Sequence, residues 1–481
     1  MKRYEEIAEL LAQDIRSGQL PPGSRLPSIR KVIAQYGVSP ATAFKAYYRL
    51  EERGLVRARE RSGYFVATAI SPRVAELPAP VTKTHLSGEV DISELVFSVL
   101  GAVQDRDVLP LGSAFPSPLL FPLPRLAKSI GSATRFIDPW DTVASLPPGH
   151  TALRQQIALR YLGMGMPQPP EQIIVTNGAL EGLNLCLSAV AKPGDLIAIE
   201  SPGFYAAAQA IERLKMRAIE IPVDPQQGVS LSALASALEQ HPIKACWFMT
   251  TYQNPMGSCM SEEKKRELVA LLARHEVPLI EDDVYGELYF GNRQPLPAKS
   301  FDQKGLVMHC SSFSKTLAPG YRIGWIAPGR FGKEIERLKL MTTLCASVPA
   351  QVALADYLHT GNYDKHLRKL RHVLEGQLQE MTAAVIRHFP DNVRISRPNG
   401  GYFLWVEFAE NFDTLVLHQK AANIGISIAP GPIFSASRQF RNCIRLNFGH
   451  PWSNTFDEGL KLLGGIIQEI SDSTEQLALG A

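Results

Sequence analysis

From about residue 95 onward, short apolar segments alternate with longer helical segments along the chain. The apolar segments include EQIIV, DLIAIE, KACWFMT, VPLIE and GLVMHC, and helical stretches such as ALEGLNLCLSAVA and SEEKKRELVALLARHE stand among them. Such alternation predicts a mainly parallel sheet with helices on both faces. Ligands of such sheets bind at the carboxyl ends of the strands, so the residues that follow each apolar segment are the candidates for function.

Those following residues carry polar groups that are costly at a buried strand end. The glycine turn TNGALEG opens directly into a helix, where backbone N–H groups and the helix dipole attract an anion. Asp282 and Asp283 follow VPLIE, and two adjacent buried acids need a cationic partner. The stretch SSFSKTLAPGYRIGW, residues 311–325, holds a lone lysine, Lys315, among small hydroxyl residues. These features mark the strand ends as candidate ligand-binding positions, although a glycine turn alone is a weak signal.

Eight motifs in a fixed order resemble the fold type I, aspartate-aminotransferase-like proteins that bind pyridoxal 5'-phosphate (PLP). They are PPGHTALRQQIALRY, TNGALEG, ESPGFY, YQNPMG, EDDVYGELYF, SSFSKTLAPGYRIGW, NGGYFLWVEF and CIRLNFGH, between about residues 110 and 470. The resemblance implies an α/β body over residues 91–475. This body has a large PLP-binding domain, with a mainly parallel sheet between helices, and a small C-terminal α+β subdomain. It also implies PLP as the cofactor.

The resemblance assigns a role to each matching position. Lys315 is the catalytic residue and holds the cofactor's aldehyde as a Schiff base. Asp282 pairs with the pyridine nitrogen, and Arg445 binds the carboxylate of a substrate or effector. The other cofactor contacts are Tyr285 and Asn254 to the ring oxygen, Phe204 to the ring face, and Ser312, Ser314, Arg322 and the backbone of Gly178, Ala179 and Leu180 to the phosphate.

Several of these residues also have ordinary structural interpretations. The structural alternatives are a helix cap for Asp282, a core aromatic for Phe204, which looks the same in the sequence, an ion pair for Arg322 and a structural arginine for Arg445. One position departs from the family. Many members have a tyrosine five residues before the glycine of the PPG turn, where it reaches the phosphate of a neighbouring subunit, and this chain has Ala144 there. The departure bears on that contact between subunits and leaves the cofactor prediction in place.

The first 66 residues have a different pattern. Tyr4, Ile7, Leu11 and Ile15 recur at helical spacing, and a second short helix is predicted in LPSIRKVIAQYG, with Ser28 as its cap and Gly37 as its end. A third helix follows Ser39 and Pro40, with an inner stripe of Ala43, Ala46, Tyr47 and Leu50. LVRAR and GYFVA predict a strand pair. Three helices and a hairpin make a winged helix-turn-helix.

PGSRLPSIR, VSPATAFKAYYRLEERGLV and RSGYFV resemble the GntR family of bacterial repressors, in which the third helix enters the major groove and the wing follows the DNA backbone. The segment suits that role because residues 1–66 hold 12 Lys and Arg against 7 Asp and Glu. The resemblance implies DNA contacts by Arg25, Ser28, Arg30, Ser39, Pro40, Ala41, Thr42, Lys45, Arg61, Ser62 and Gly63. A small helical cap with solvated arginines is the structural alternative.

Residues 1–67 are therefore predicted to be the DNA-binding domain. Residues 68–90 lose periodicity and contain Pro72, Pro78 and Pro80, which is typical of a linker. Six scattered cysteines without a CxxC pair indicate reduced thiols and a cytoplasmic protein. We expect no membrane span, because no apolar run reaches about 20 residues, and no metal, because no histidine pair has ligand spacing.

A GntR-type head, a linker and an aminotransferase-like body together resemble the MocR subfamily of transcriptional regulators. The resemblance implies a homodimer that binds a double-stranded DNA operator and senses PLP or a small amino compound as effector. Two alternatives stay open: an aminotransferase acting on an amino acid, with an accessory head, and a DNA-binding protein whose body only dimerises. The residues for transamination are all present, so residual transaminase activity is compatible with the regulator interpretation.

Overall fold

The computed structural model describes residues 3–16, 19–20, 24–52, 55–59, 63–66, 75–78, 84–87, 90–101, 107–144 and 146–479. The chain divides into two compact units, Met1–Val74 and Ala75–Ala481. Within the described ranges, no helix combines the length and the apolar composition that crossing a bilayer requires.

The first unit is built around one small core. Its elements are α1 (Arg3–Arg16), α2 (Ile29–Tyr36), α3 (Pro40–Glu52), β1 (Val56–Arg59) and β2 (Gly63–Val66). β1 and β2 pair antiparallel, and Leu26 and Val66 join the segment before α2 to β2 through backbone hydrogen bonds. The predicted inner stripe of α3 is fully buried, together with Ile7 and Leu11 of α1. The winged helix-turn-helix prediction is confirmed.

The second unit contains two sheets. Its strands are β3 (Ala75–Glu76), β4 (His85–Ser87), β5 (Ile174–Thr176), β6 (Leu196–Ser201), β7 (Arg217–Asp224), β8 (Gly228–Val229), β9 (Ile243–Phe248), β10 (Leu279–Asp282), β11 (Val307–Ser312), β12 (Gly324–Ala327), β13 (Arg394–Ile395), β14 (Phe403–Glu407), β15 (Ala429–Pro430) and β16 (Cys443–Asn447). The large sheet has the order β4-β7-β6-β9-β10-β11-β12-β5, and β8 pairs with β7. Strands β7, β6, β9, β10 and β11 are parallel neighbours, whereas β12 runs antiparallel to both β11 and β5.

Helices cover this sheet and extend into a smaller C-terminal subdomain. They are α4 (Ser93–Gly101), α5 (Leu123–Ala133), α6 (Asp141–Ala144), α7 (Thr151–Gly163), α8 (Ala179–Val190), α9 (Tyr205–Arg213), α10 (Leu231–Gln240), α11 (Glu262–Arg274), α12 (Gly332–Thr342), α13 (Val348–His359), α14 (Asn362–His388), α15 (Thr414–Asn423) and α16 (Asn454–Leu479). The smaller sheet has the order β15-β16-β14-β13-β3. α15 packs against β15, and α14 and α15 both pack against α16. The α/β body with a small α+β subdomain is as predicted.

The predicted linker, residues 68–90, needs a correction. Ala75–Glu76 form β3 and pair with β13, and His85–Ser87 form β4 and pair with β7 at the edge of the large sheet. Short edge strands are held by backbone hydrogen bonds and need no apolar periodicity, so the sequence pattern did not reveal them. Residues 67–74, 79–83 and 88–89 lie outside the described residues.

Candidate active site and DNA-binding surface

The predicted cofactor residues gather at one edge of the large sheet. β5 ends before Gly178, β9 ends before Asn254, β10 ends at Asp282, and β11 runs into Lys315. Since these four strands point the same way, their carboxyl ends meet at the same edge. Phe204 follows β6 at that edge and is half-buried, with its ring centroid 4.8 Å from that of Tyr205. Its stacking role stays a prediction.

The side chain of Lys315 is half-buried, while its amine lies among protein atoms. Its Nζ donates to the carbonyl oxygen of Ala114 at 2.9 Å and lies 3.7 Å from the ring centroid of Phe115. Burial lowers the pKa of Lys315 to about 7, and the positive charge of Arg445 adds to the effect, while Asp282 opposes it. About half of these amines are therefore neutral and nucleophilic at pH 7, which is the state that attacks an aldehyde.

Asp282 is a buried carboxylate whose two oxygens have no hydrogen-bond partner among the described residues. Burial, together with the negative charge of Asp283, raises the pKa of Asp282 to about 7. Asp283 Oδ2 accepts from His309 Nε2 at 3.0 Å, so Asp283 has a partner of its own. The unpaired carboxylate of Asp282 fits the protonated ring nitrogen of PLP, which would supply the missing cation.

The phosphate cradle lies where α8 begins. Gly178 has φ of 83° and caps α8, and a Cβ at this position would collide with the guanidinium of Arg322. Arg322 donates from Nη2 to the carbonyl oxygen of Asn177 at 3.2 Å. Ser314 has a buried hydroxyl without a partner among the described residues, and Ser312 accepts from the backbone N–H of Ser314 at 3.3 Å.

The free N–H groups at the start of α8, beginning with Ala179 and Leu180, complete a cradle that fits a phosphate. The residues present therefore fit PLP at its nitrogen, its aldehyde and its phosphate.

Arg445 stands on β16, in the smaller sheet, and its side chain is fully buried. Nη1 donates to the side-chain oxygen of Asn254 at 3.0 Å, and Nη2 donates to the carbonyl oxygens of Gly112 and Ser113 at 2.6 and 3.1 Å. Its guanidinium also lies 4.2 Å from the ring centroid of Phe403. Backbone carbonyls therefore occupy Nη2, one of the donors that the sequence assigned to a ligand carboxylate, while Nε has no partner among the described residues.

The segment Gly112–Phe115 was not predicted to be part of the site. Besides Lys315 and Arg445, it is held by Tyr402, whose hydroxyl donates to the carbonyl of Ala114 at 3.1 Å. Asn447 donates from Nδ2 to the carbonyls of Ser113 and Phe115 at 2.9 and 2.7 Å. Tyr402 lies in the motif NGGYFLWVEF and contacts the ring of Tyr285 edge-on at 5.4 Å, so the motif was a usable signal. Gly112–Phe115 carries no such signal.

The DNA-binding prediction concentrates on α3 and its surroundings in the first unit. Ser39 caps α3, because its Oγ accepts from the backbone N–H of Thr42 at 3.2 Å and lies 2.9 Å from the Thr42 hydroxyl. Pro40, Ala41 and Lys45 are exposed on α3. Ser28 caps α2 by accepting from the N–H of Lys31, and exposed Arg30 follows within α2. Arg25 is exposed and lies against Gly63 of β2, whereas Arg61 and Ser62 fall outside the described residues.

Two family models match this chain. The bacterial regulatory proteins, gntR family, match residues 3–66, and aminotransferase class I and II matches residues 140–458. The chain is 46% identical over 470 residues to the uncharacterized HTH-type transcriptional regulator YdcR of Escherichia coli, covering 98% of this chain and 100% of that protein. It is 37% identical to the uncharacterized HTH-type transcriptional regulator YjiR of the same organism, covering 96% and 98%.

Among solved structures, the body is similar to Pyrococcus horikoshii kynurenine aminotransferase in complex with PMP, with KYN as substrates and KYA as products. The TM-score is 0.72 at 30% identity, over 78% of this chain and 94% of that chain.

Proposed function

This chain belongs to the aminotransferase class I and II family and joins that body to a gntR-family head in the MocR arrangement; on that premise we propose that it is a PLP-dependent regulator of transcription that senses PLP or an amino compound. The observation that carries the proposal is the pairing of a buried amine of pKa about 7 at Lys315 with an unpartnered acid at Asp282. Such a pair is costly in a body that serves only to dimerise.

PLP supplies, when bound, an electron-withdrawing ring next to an attached amine carbon. The chain's own residues supply everything else. Asp282 keeps a proton at the ring nitrogen, Lys315 holds the aldehyde carbon and moves a proton at its Nζ, and Arg322 with the start of α8 binds the phosphate. Arg445 would bind the carboxylate of an amino acid once the carbonyls of Gly112 and Ser113 release its donors.

The head would contact DNA through the exposed face of α3 and through Arg25 and Arg30. Lys45 on α3 and these two arginines are exposed side chains of one sign, which suits contact with phosphates. Such contacts release counterions, so affinity for an operator would fall steeply as salt rises.

An apolar patch beside the phosphate cradle supports a homodimer. Four large apolar side chains there are 45 to 64% exposed: Leu180, Leu340, Met341 and Leu344. Glu181 on α8 accepts hydrogen bonds from Lys339 on α12 and from Thr343 just after it, which joins the two segments. Clustered large apolar side chains on a surface mark an interface between proteins. A two-fold interface here would lie next to the cofactor site of each subunit.

Two substitutions separate the two halves of the proposal. Lys315→Ala removes the amine that is predicted to bind the cofactor's aldehyde, so borohydride reduction of the PLP-treated protein should leave no pyridoxyl group on the peptide that contains position 315. Its binding to promoter DNA without ligand should stay within about threefold of the wild type. Arg30→Ala should weaken promoter binding by about tenfold, because one charge-assisted phosphate contact is lost, while Lys315 is labelled as before.

The measurements are peptide mass spectrometry and DNA-binding titration on the same preparations. A pyridoxyl group found at another lysine would contradict the cofactor site. Equal DNA binding by the wild type with and without PLP and amino acids would contradict the sensor and favour the alternative, an aminotransferase with an accessory head, if turnover with a keto acid were fast.

A further inference from the structure

A cavity of about 840 Å³ lies in the body, apart from the cofactor site. It is formed where the end of α7, the start of α14 and the loop of residues 289–296 meet, and none of the predicted cofactor residues lines it. Small-molecule sites have volumes of roughly 300 to 1,000 Å³. The size is therefore that of a site for a metabolite.

The lining of this cavity is net positive, although Arg160 pairs with Glu287 and Asp364, and Arg293 pairs with Glu262. It contains four arginines and one acid, which are Arg160, Arg293, Arg368, Arg371 and Asp364. Within the described part of the chain, Arg368 and Arg371 form no ion pair, and Arg371 instead lies over the ring of Tyr289 at 4.1 Å and donates to the carbonyl of Glu287 at 3.1 Å. Like charges held together raise the free energy of the folded protein unless an anion neutralises them.

We propose that this arginine cavity binds a small molecule that carries at least two negative charges, as phosphates or carboxylates. Guanidinium groups bind such anions through paired N–H bonds. Leu159, Met164 and Tyr289 add apolar and aromatic surface to the lining. A compact organic anion could contact both kinds of surface in this open cavity.

The arginine cavity is also connected to Lys315. Arg160 donates from Nε to Glu287 at 2.7 Å, and the hydroxyl of Tyr363 donates to the other oxygen of Glu287. The hydroxyls of Tyr363 and Thr316 lie 2.7 Å apart, and Thr316 is the residue next to Lys315. An anion that draws Arg160 away from Glu287 leaves more negative charge at Tyr363 and Thr316. The ligand would therefore change the electrostatic environment of Lys315, a regulation that rests on the proposed function.

Calorimetric titration of the PLP-treated, full-length protein with inorganic pyrophosphate tests the site directly. PLP is present so that the phosphate cradle is filled. We expect one saturable site per chain in the wild type and about tenfold weaker binding in Arg368→Gln, which removes one charge-assisted contact. Arg387→Gln is the matched control, because Arg387 is an exposed arginine of the same helix outside the cavity, and it should bind as the wild type does.

Absence of saturable binding overturns the proposal, and so does equal weakening in both variants. It is also overturned if Arg368→Gln weakens promoter binding while pyrophosphate does not bind, since the cavity would then hold DNA. The connection is tested by the absorbance spectrum of the PLP-treated protein, which pyrophosphate should change in the wild type. Tyr363→Phe should still bind pyrophosphate but lose that change. A protein that bound no PLP would fail the spectral test, and weaker pyrophosphate binding in Arg368→Gln but not in Arg387→Gln would still identify the arginine cavity, so the failures of the two proposals are distinguishable.

Discussion

Lys315 has the chemistry of a reactive amine because the fold removes water from it. Burial and the charge of Arg445 lower the pKa of Lys315 to about 7, which is more than three units below the ordinary lysine value of roughly 10.4. A neutral amine reacts with aldehydes and a protonated one does not. The reactivity of Lys315 therefore switches on between pH 6 and 8, where a solvated lysine stays almost entirely protonated.

This predicts the pH profile of labelling by formaldehyde and cyanoborohydride in protein without cofactor. Methylation at Lys315, followed by peptide mass spectrometry, should rise with a midpoint near pH 7 and then level off. In Arg445→Gln the midpoint should move to higher pH, because a cation that disfavours the protonated amine is gone. A wild-type midpoint close to the ordinary lysine value would mean that the Lys315 amine is solvated.

For single residues, the sequence predicted the functional side chains of the site but not the backbone groups to which they are hydrogen-bonded. Lys315 and Asp282 were predicted because each follows an apolar strand in a motif with a chemical role. The contact of Arg445 with Gly112 and Ser113 joins residues more than 300 positions apart through backbone carbonyls. Backbone atoms are the same for every residue type, so no residue pattern predicts such a contact.

Helix α3 illustrates how a local signal decides an element. Ser39 satisfies the N–H of Thr42, and Gly37 just before it has φ of 60°, a left-handed conformation that suits glycine. Caps and a buried stripe are short-range features, so the sequence was sufficient for this helix. The strands β3 and β4 lack such features, since a two- or three-residue edge strand is stabilised by whichever strand it meets.

The cap of α3 provides a test at the scale of the element. Ser39→Ala should destabilise the first turn by about 1 kcal/mol, and the amide of Thr42 should then exchange with solvent about fivefold faster in the full-length protein without DNA. Ser39→Asp should restore protection, because aspartate caps as well as serine does. Hydrogen exchange followed by mass spectrometry measures both. Identical exchange in Ser39→Ala and the wild type would show that the cap contributes nothing.

For the whole molecule, the decisive question is which surface a second copy covers. The patch around Leu180, Leu340, Met341 and Leu344 would be buried in a dimer, so Met341→Lys should weaken self-association by about tenfold or more. Leu462→Lys is the control, because Leu462 is 56% exposed on α16, away from this patch. Sedimentation measures the dissociation constants. Equal dimerisation of Met341→Lys and the wild type would exclude the patch from the interface.

The segment Gly112–Phe115 affects the ligand concentration at which the protein can respond. Its carbonyls accept from Lys315 and from Nη2 of Arg445, so a ligand that uses these donors competes with the chain's own backbone. Its measured affinity equals the intrinsic affinity multiplied by the fraction of molecules whose segment is released. If the segment were released in about one molecule in a hundred, half-saturation would need a ligand concentration about a hundredfold above the intrinsic dissociation constant. The strength of the hydrogen bonds to these few carbonyls would thus determine how much effector a cell must accumulate before the protein responds.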